Sequence, residues 1–350
     1  MVMENGTSDS IGPSGSNDAV TSSTAKRSRP LSAFVVRRTA AGILTLVLAS
    51  FLIFASVQIL PGDVISVVLG KNATPARVAA LQVDLGLNDS LLHRYIRFAS
   101  GVATGHFGNS SAALAQGRKL PIWRLIRVPL RNSAILAAIT IALFIPLALL
   151  LGTVSALRSG RGVDHAISTP ALAASAMPEF LVGTLLIIVL FTQLDLFPPV
   201  AEVRPGETPF SHPNALVLPV LTLLSVSLAL AIRLIRASMI DVLRSDYIRM
   251  ARLNGQPERR VIIRYALRNA LGPGIQAIAQ TLQYLLGGII ITETVFNYPG
   301  IGNELVQAVS LRDVQVIGVT AMILAVTYIA INIVADLLVV LAVPKLRTGA

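Results

Sequence analysis

The sequence predicts an all-α membrane protein with six transmembrane helices. Of its 350 residues, 53% are apolar and 13% are charged, and this charged fraction is about half that of an ordinary soluble domain. Six apolar runs are each long enough to cross about 30 Å of hydrocarbon as a helix that rises about 1.5 Å per residue. The runs are Ala40–Leu60, Ala134–Ala156, Ala166–Phe191, Ala215–Ile232, Ile275–Val295 and Val316–Val343.

Helices are the only spanning structures that these runs fit. Backbone groups inside hydrocarbon must find hydrogen-bond partners within the protein, which restricts membrane spans to helices and closed barrels. None of the runs shows the alternation of apolar and polar side chains that is typical of a membrane barrel.

The first apolar run follows a polar and basic N-terminal segment. Residues 1–30 are rich in Ser, Thr, Asn, Gly and Asp and hold few large apolar side chains, so we predict a disordered cytoplasmic tail. The run itself has 21 residues, whereas the apolar core of a cleaved signal peptide has about 7–15. We therefore predict that residues 31–60 form an uncleaved first transmembrane helix.

The distribution of positive charge predicts the orientation. With a cytoplasmic N-terminus, segments 1–38, 157–165, 233–272 and 344–350 lie inside and hold 18 Lys and Arg residues. The external segments hold 11, nine of them in the loop 61–131, and loops of that length weigh little in the positive-inside rule. Both termini are therefore predicted to be cytoplasmic. In so apolar a chain, the net charge of +11 indicates contact with anionic membrane lipid rather than nucleic acid.

These boundaries predict the domain organisation. An external loop region, 61–131, follows the first helix. A five-helix core then covers residues 132–343 and carries a cytoplasmic loop over residues 237–272, and residues 344–350 form a cytoplasmic tail.

No motif for catalysis or metal binding is present in the sequence. The chain has no cysteine, and its four histidines are far apart in sequence, which makes a metal site improbable from sequence. No phosphate-binding glycine loop, nucleophile elbow or zinc-protease motif occurs. We therefore expect a non-enzymatic chain with no cofactor and no catalytic residue.

The cytoplasmic loop predicts a short helix, a glycine turn and a second helix. Ser245 is a suitable N-cap, and Asp246 suits the positive end of the helix that follows. Asn254 and Gly255 form a typical helix stop, and Pro257 suits the start of the next helix. A helix of about nine residues is marginal in water by itself, so it would dock either on a partner protein or on anionic lipid.

This loop resembles the coupling loop of ABC-transporter permease subunits. The family pattern is Glu-Ala-Ala, three residues, Gly, nine residues and then Ile-x-Leu-Pro; Ala251, Gly255 and Leu267 keep its spacing, whereas four other positions depart from it. Further segments resemble the dipeptide and oligopeptide branch of that family. They are Pro61-Gly62-Asp63, the third-helix residues Pro178, Phe180 and Gly183, and the segment from Glu293 to Gly302.

The resemblance covers about residues 31–348 and implies a type I ABC importer permease fold in the cytoplasmic membrane. It implies one half of a translocation path for di- and oligopeptides or related small solutes. The implied partners are a second, homologous permease, one or more cytoplasmic ATP-binding subunits that hydrolyse ATP, and an external substrate-binding protein. The residues implied to couple to the ATPase are Asp246, Tyr247, Ala251, Arg252, Gly255 and Leu267.

Two sets of polar residues inside the apolar runs are candidates for the path. Gln276, Gln280 and Gln283 recur at helical spacing on one face of the fifth predicted helix. They could line the path or join neighbouring helices. Glu179, in the third run, could face the path and bind a peptide amino terminus, pack against a partner helix, or lie near one membrane face if its helix is tilted.

Three other charged residues, in the runs or just after them, are predicted to have structural roles. Arg233 and Arg236 are predicted to be membrane anchors whose charged ends reach the surface. Asp336 is predicted to be balanced by Lys345 or Arg347.

Two other classes of protein share part of this pattern. A stand-alone secondary transporter or channel would explain six helices and Glu179, but not the glycine turn in the cytoplasmic loop. A structural membrane scaffold would explain the basic loop, but not the glutamine stripe. The sequence leaves the identity of the solute open.

Overall fold

The computed structural model describes residues 31–59, 74–84, 86, 88–204 and 206–342. The predicted N-terminal and C-terminal tails, and the segment Pro61-Gly62-Asp63, lie outside the described residues. Within the described part, the regular structure is helical, with one isolated bridge between Asn109 and Pro121.

Five of the described helices are long and apolar enough to cross a membrane. They are α1 (Leu31–Ile59), α5 (Ile122–Leu157), α8 (Pro213–Leu243), α11 (Arg268–Val295) and α13 (Val314–Ala342). Helix α5 begins 12 residues before its apolar run, and α8 continues 11 residues beyond its own. Apolarity marks only the part of a helix that lies in lipid, so both helices extend beyond it.

The remaining predicted span, the third along the chain, is divided into two helices. Helix α6 (Gly162–Ser175) and helix α7 (Glu179–Leu186) meet at an angle of 118°. A π-helical segment, Ile187–Gln193, continues α7. The break falls at residues 176–178, where Pro178 has no N–H to continue the α6 hydrogen-bond ladder. The predicted six spans are therefore five long helices and one bent pair.

Helix α8 forms the centre of the helical core. It packs against α5, α6, α7 and α11. Leu218, Leu223, Ile235 and Met239 of α8 are completely or almost completely buried, and Phe144 of α5 lies in the same cluster. Helix α1 packs mainly on α13 and exposes rows of aliphatic side chains, as expected of a lipid-facing helix.

Asp336 on α13 has a different partner from the predicted ones. Its carboxylate forms an ion pair with Arg38 of α1, and this pair joins the two helices near their cytoplasmic ends. The predicted partners, Lys345 and Arg347, lie outside the described residues.

The described part of the external region contains three short helices rather than irregular loop. They are α2 (Pro75–Asp84), α3 (Leu91–Thr104) and α4 (Ser111–Ala115). Helix α3 contacts α1 through a hydrogen bond between the hydroxyls of Tyr95 and Ser50, which lie 2.9 Å apart. The carboxylate of Asp313, at the start of α13, accepts hydrogen bonds from the Ser110 hydroxyl and from the backbone N–H groups of Ser111 and Ala112. Asp313 thereby caps α4 and fastens it to the core.

The remaining described elements form two groups, one on the cytoplasmic side after α8 and one on the external side. Helix α9 (Asp246–Leu253), the turn α10 (Glu258–Arg260) and a π-helical segment, Val261–Leu267, lead into α11. On the external side, a 3₁₀ turn, Pro209–Ser211, precedes α8, and α12 (Ile301–Ser310) joins α11 to α13.

Candidate functional site

The cytoplasmic loop has the predicted helix–turn–helix form. Helix α9 begins at Asp246 and ends at Leu253. Gly255 then has a φ of +71°, the left-handed conformation that glycine adopts without strain. One prediction was wrong: the Ser245 hydroxyl does not cap α9 but donates to the carbonyl of Val242, at the end of α8. The last turn of α8 competes for that hydroxyl because only two residues separate the two helices.

Helix α9 buries one face against the protein and presents another to the cytoplasm. Ile248 and Ala251 are buried in the same hydrophobic cluster as Val261 of the π-helical segment. Leu267, at the end of that segment, packs against this cluster as well. Two of the six predicted coupling residues, Ala251 and Leu267, are therefore packing residues.

An apolar strip runs along the exposed side of α9, beside the exposed charged residues Asp246 and Arg249. The exposed fractions of Tyr247, Met250 and Leu253 are 43%, 59% and 74%. These residues recur at intervals of three, so they form one continuous strip along the helix. An exposed apolar strip of this kind is typical of a protein-binding surface. Sequence reasoning found Tyr247 but missed Met250 and Leu253, because spacing alone does not distinguish the inward apolar face from the outward one.

An ion pair closes the turn that contains Gly255. The Nη2 atom of Arg252 lies 2.7 Å from Oε1 of Glu258, and Nε lies 3.2 Å from Oε2. This hydrogen-bonded pairing lowers the pKa of Glu258 and raises that of Arg252. The pair is exposed, so we expect it to contribute less than about 1 kcal/mol to stability. Asp246, also exposed, lies in the first turn of α9, as predicted.

An ion pair with a buried carboxylate connects α8 to α6. The Asp164 carboxylate is 4% exposed and accepts both Nη2 (2.6 Å) and Nε (2.8 Å) of Arg236. It also accepts the Ser155 and Ser168 hydroxyls and the backbone N–H of Gly160. The prediction that Arg236 is a surface anchor was therefore wrong. Arg236 instead ties α8, about two turns before the end of that helix, to the start of α6.

The glutamine stripe lies on a side of α11 that the described residues leave uncovered. Gln276 and Gln280 are exposed and Gln283 is partly exposed, and Tyr284, Gly287, Ile291 and Thr294 continue the exposed face. In a permease this face can meet the path or another subunit. Its polarity distinguishes it from the aliphatic lipid-facing side of α1.

Glu179 lies apart from the glutamine stripe. Its carboxylate is 4% exposed and lies between α7 and α11, against Gly288, on a buried side of α11. One of its oxygens, Oε1, has no hydrogen-bond partner among the described residues. The structure thus places this acid at the N-terminus of α7, just after the break in the third span, but does not bring it together with the glutamines.

We expect Gly288→Ala to destabilise the protein and Gly287→Ala to leave it nearly unchanged. A methyl group at Gly288 would overlap the Glu179 carboxylate, whereas one at Gly287 meets nothing within 4 Å. Overpacking of this kind costs about 1–3 kcal/mol, which thermal unfolding of the solubilised protein would measure. Adding Glu179→Ala should remove most of the penalty at Gly288, and strictly additive effects would contradict the contact.

A second carboxylate that sequence reasoning did not assign organises the outer end of the core. Glu293 of α11 is completely buried and accepts the Ser133 hydroxyl and the backbone N–H groups of Gly302 (2.7 Å) and Asn303 (3.3 Å). The Ser133 oxygen in turn accepts the N–H of Ile301 (2.8 Å). Glu293 therefore caps α12 and joins α5, α11 and α12. Its place in the segment from Glu293 to Gly302 was the available signal.

Comparisons with known proteins place this architecture in a family. The family described as binding-protein-dependent transport system inner membrane component matches residues 145–348, and its N-terminal counterpart matches residues 31–116. A probable peptide ABC transporter permease of Sinorhizobium fredii is 32% identical over 90% of this chain and 99% of its own length.

Two other relatives are similar over nearly their whole length. The glutathione transport system permease GsiC of Escherichia coli is 32% identical over 90% of this chain and 98% of its own. The oligopeptide transport system permease AppB of Bacillus subtilis is 30% identical over 91% of this chain and 100% of its own. The chain therefore belongs to the family of binding-protein-dependent transport system inner membrane components, and it is a multi-pass permease subunit of an ABC importer in the cytoplasmic membrane.

Proposed function

We propose that this chain couples a cytoplasmic ATPase to the import of di- and oligopeptides or related small solutes. The observation that carries the proposal is the exposed apolar strip of α9, formed by Tyr247, Met250 and Leu253. The strip lies directly after α8, the most central helix of the core. A movement imposed on α9 by a partner would therefore reach the transmembrane helices without passing through a flexible linker.

The proposed partners follow from the family and from the exposed surfaces. One or two cytoplasmic ATP-binding subunits occupy the α9 strip and hydrolyse ATP, and the absence of a phosphate-binding loop from this sequence supports their being separate chains. A second, homologous permease completes the path, and an external solute-binding protein delivers the solute. Membrane lipid covers the aliphatic outer helices.

The glutamine stripe is proposed to face this path. Amide side chains donate and accept hydrogen bonds, so they can replace water around the backbone of a peptide. Gln276, Gln280 and Gln283 lie on an α11 face that no other described part of the chain covers. The solute class follows the relatives, whose names specify peptides, oligopeptides and glutathione.

Met250→Asp tests the proposed ATPase contact. We expect about tenfold or greater loss of the ATP-binding subunit that co-purifies with the tagged chain, because an unpaired charge buried in an apolar contact costs several kcal/mol. Leu311→Asp is the matched control, since Leu311 is 64% exposed at the external end of α12. Equal recovery of the ATP-binding subunit with Met250→Asp and with the unaltered chain would contradict the contact.

A further inference from the structure

Three arginines form a stripe on the external end of α5. Arg124, Arg127 and Arg131 are all exposed and recur at intervals of three and four, so they share one face of the helix. The opposite face holds Ile122 and Ile126, which are completely buried in a cluster with residues of α12 and α13. This packing fixes the rotation of the helix, and the external arginine stripe therefore points outward.

The stripe extends beyond the membrane surface. Arg131 lies three residues before the apolar run that starts at Ala134, and Arg124 lies ten residues before it. At about 1.5 Å per residue, these positions are roughly 5 Å and 15 Å outside the hydrocarbon. The headgroup layer is only about 5–8 Å thick on each side, and a typical tilt of about 20° changes the heights little. Arg131 is thus at headgroup level, whereas Arg124 and Arg127 face external water.

No acidic side chain of the described residues neutralises the stripe. Among the described residues, Arg124 and Arg127 form no ion pair. The Arg131 guanidinium donates only to the backbone carbonyl of Glu207, 3.4 Å away. Like charges three or four residues apart destabilise a helix. The stripe is therefore an unfavourable charge arrangement that no side chain of the described residues compensates.

We propose that the external arginine stripe docks an acidic face of the soluble solute-binding protein, a partner that rests on the function proposed above. The distance of Arg124 and Arg127 from the hydrocarbon favours a protein over lipid headgroups as the source of the negative charge that binds them. Trp123, beside the stripe, is 49% exposed, and tryptophan and arginine are both enriched at the energetically important positions of protein interfaces. The partner presents two or three carboxylates spaced about 5–6 Å apart, to match successive arginines.

The position of the stripe connects docking to the core. Directly after Arg131, the Asn132 side chain donates to the carbonyl of Pro299 at 2.9 Å, and the Ser133 oxygen accepts the N–H of Ile301. Pro299 lies in the link after α11 and Ile301 begins α12, and the Ser133 hydroxyl also donates to Glu293 near the external end of α11. A protein that binds the arginines therefore engages a part of α5 that is hydrogen-bonded to the external end of the helix that carries the glutamine stripe.

The test measures how fast the solute-binding protein associates with the complete complex in lipid nanodiscs. The probe is the solute-binding protein recovered with the wild-type complex and then purified. We expect Arg124→Glu/Arg127→Glu to slow association at least tenfold at low salt, because charge pairs at such interfaces act mainly on the association rate. With the wild-type complex, raising the salt concentration should slow association in the same direction.

A second pair of substitutions controls for the overall change in charge. The amount of anionic lipid that co-purifies with each variant tests whether the stripe binds lipid instead of protein. Arg118→Glu/Lys119→Glu changes the charge equally on the same side, but before α5 begins, and we expect less than a threefold effect. The neutral Arg124→Gln/Arg127→Gln variant serves if the reversed one does not assemble, with an expected loss of about threefold or more.

Three results would overturn the proposal. They are unchanged association with both stripe variants, an equal loss with the Arg118/Lys119 variant, and loss of co-purified anionic lipid with unchanged protein association. Recovery of no solute-binding protein with the wild-type complex would instead overturn the proposed delivery of solute by such a protein.

Discussion

Replacing Gly255 with valine is expected to reduce ATP-dependent uptake about tenfold or more while the chain still inserts into the membrane. Gly255 has a φ of +71°, and a Cβ at this position would meet no atom within 4 Å. The penalty is therefore conformational rather than steric, about 1–2 kcal/mol for an ordinary residue in the left-handed region and larger for a β-branched one. The turn would relax to a negative φ and move α9 away from its ATPase.

Asparagine at the same position is the matched control. It tolerates the left-handed conformation better than other non-glycine residues, so Gly255→Asn should retain most of the uptake. Uptake of labelled peptide and the amount of chain in the membrane are measured for both variants. Normal uptake by Gly255→Val would show that the geometry of this turn does not matter for coupling.

Asp164→Asn is expected to produce the largest loss of stability among the substitutions considered. It removes the charge from a carboxylate that is 4% exposed and holds Arg236 through two hydrogen bonds. Breaking a fully buried ion pair costs about 3–5 kcal/mol, and we expect a loss toward the lower end of that range because the remaining Arg236 side chain is 30% exposed. The end of α8 that leads to α9 would lose its tie to α6, so we also expect fewer solute molecules imported per ATP hydrolysed.

Asp336→Asn provides the comparison. The pair of Asp336 with Arg38 also joins two helices, but its side chains are 28% and 47% exposed, and exposed pairs contribute about 0–1 kcal/mol. Thermal unfolding of the solubilised complex and the ratio of uptake to ATP hydrolysis are measured for both variants. Similar stabilities for the two variants would refute a special role for the buried pair.

Much of the architecture follows from local signals in the sequence. Apolar length predicts where the spans lie, because hydrocarbon thickness is fixed. The Asn254-Gly255 stop predicts the turn after α9, since few other residue pairs favour a left-handed backbone there. The break before Pro178 was not predicted. Pro146, Pro170 and Pro219 lie inside unbroken helices, so a proline in an apolar run does not by itself predict a break.

The missed features depend on contacts between distant residues. Arg236 and Asp164 are 72 positions apart, and nothing in the immediate sequence of either residue predicts their pairing. Glu293 was recognised only as part of a motif, because its role becomes visible when Ser133 of α5 lies beside it. Apolar residues occur both on the inward face of α9 and in its exposed strip, so packing against Val261, rather than composition, decides which of them remain free.

Affinity capture of the tagged chain from solubilised membranes, with its partners identified by mass, tests the central claim most directly. The account predicts that an ATP-binding subunit and a second, homologous permease are captured in stoichiometric amounts. It also predicts that Met250→Asp loses the ATP-binding subunit but keeps the second permease. A chain that is recovered alone, or only with copies of itself, would contradict coupling to an ATPase and favour a stand-alone transporter.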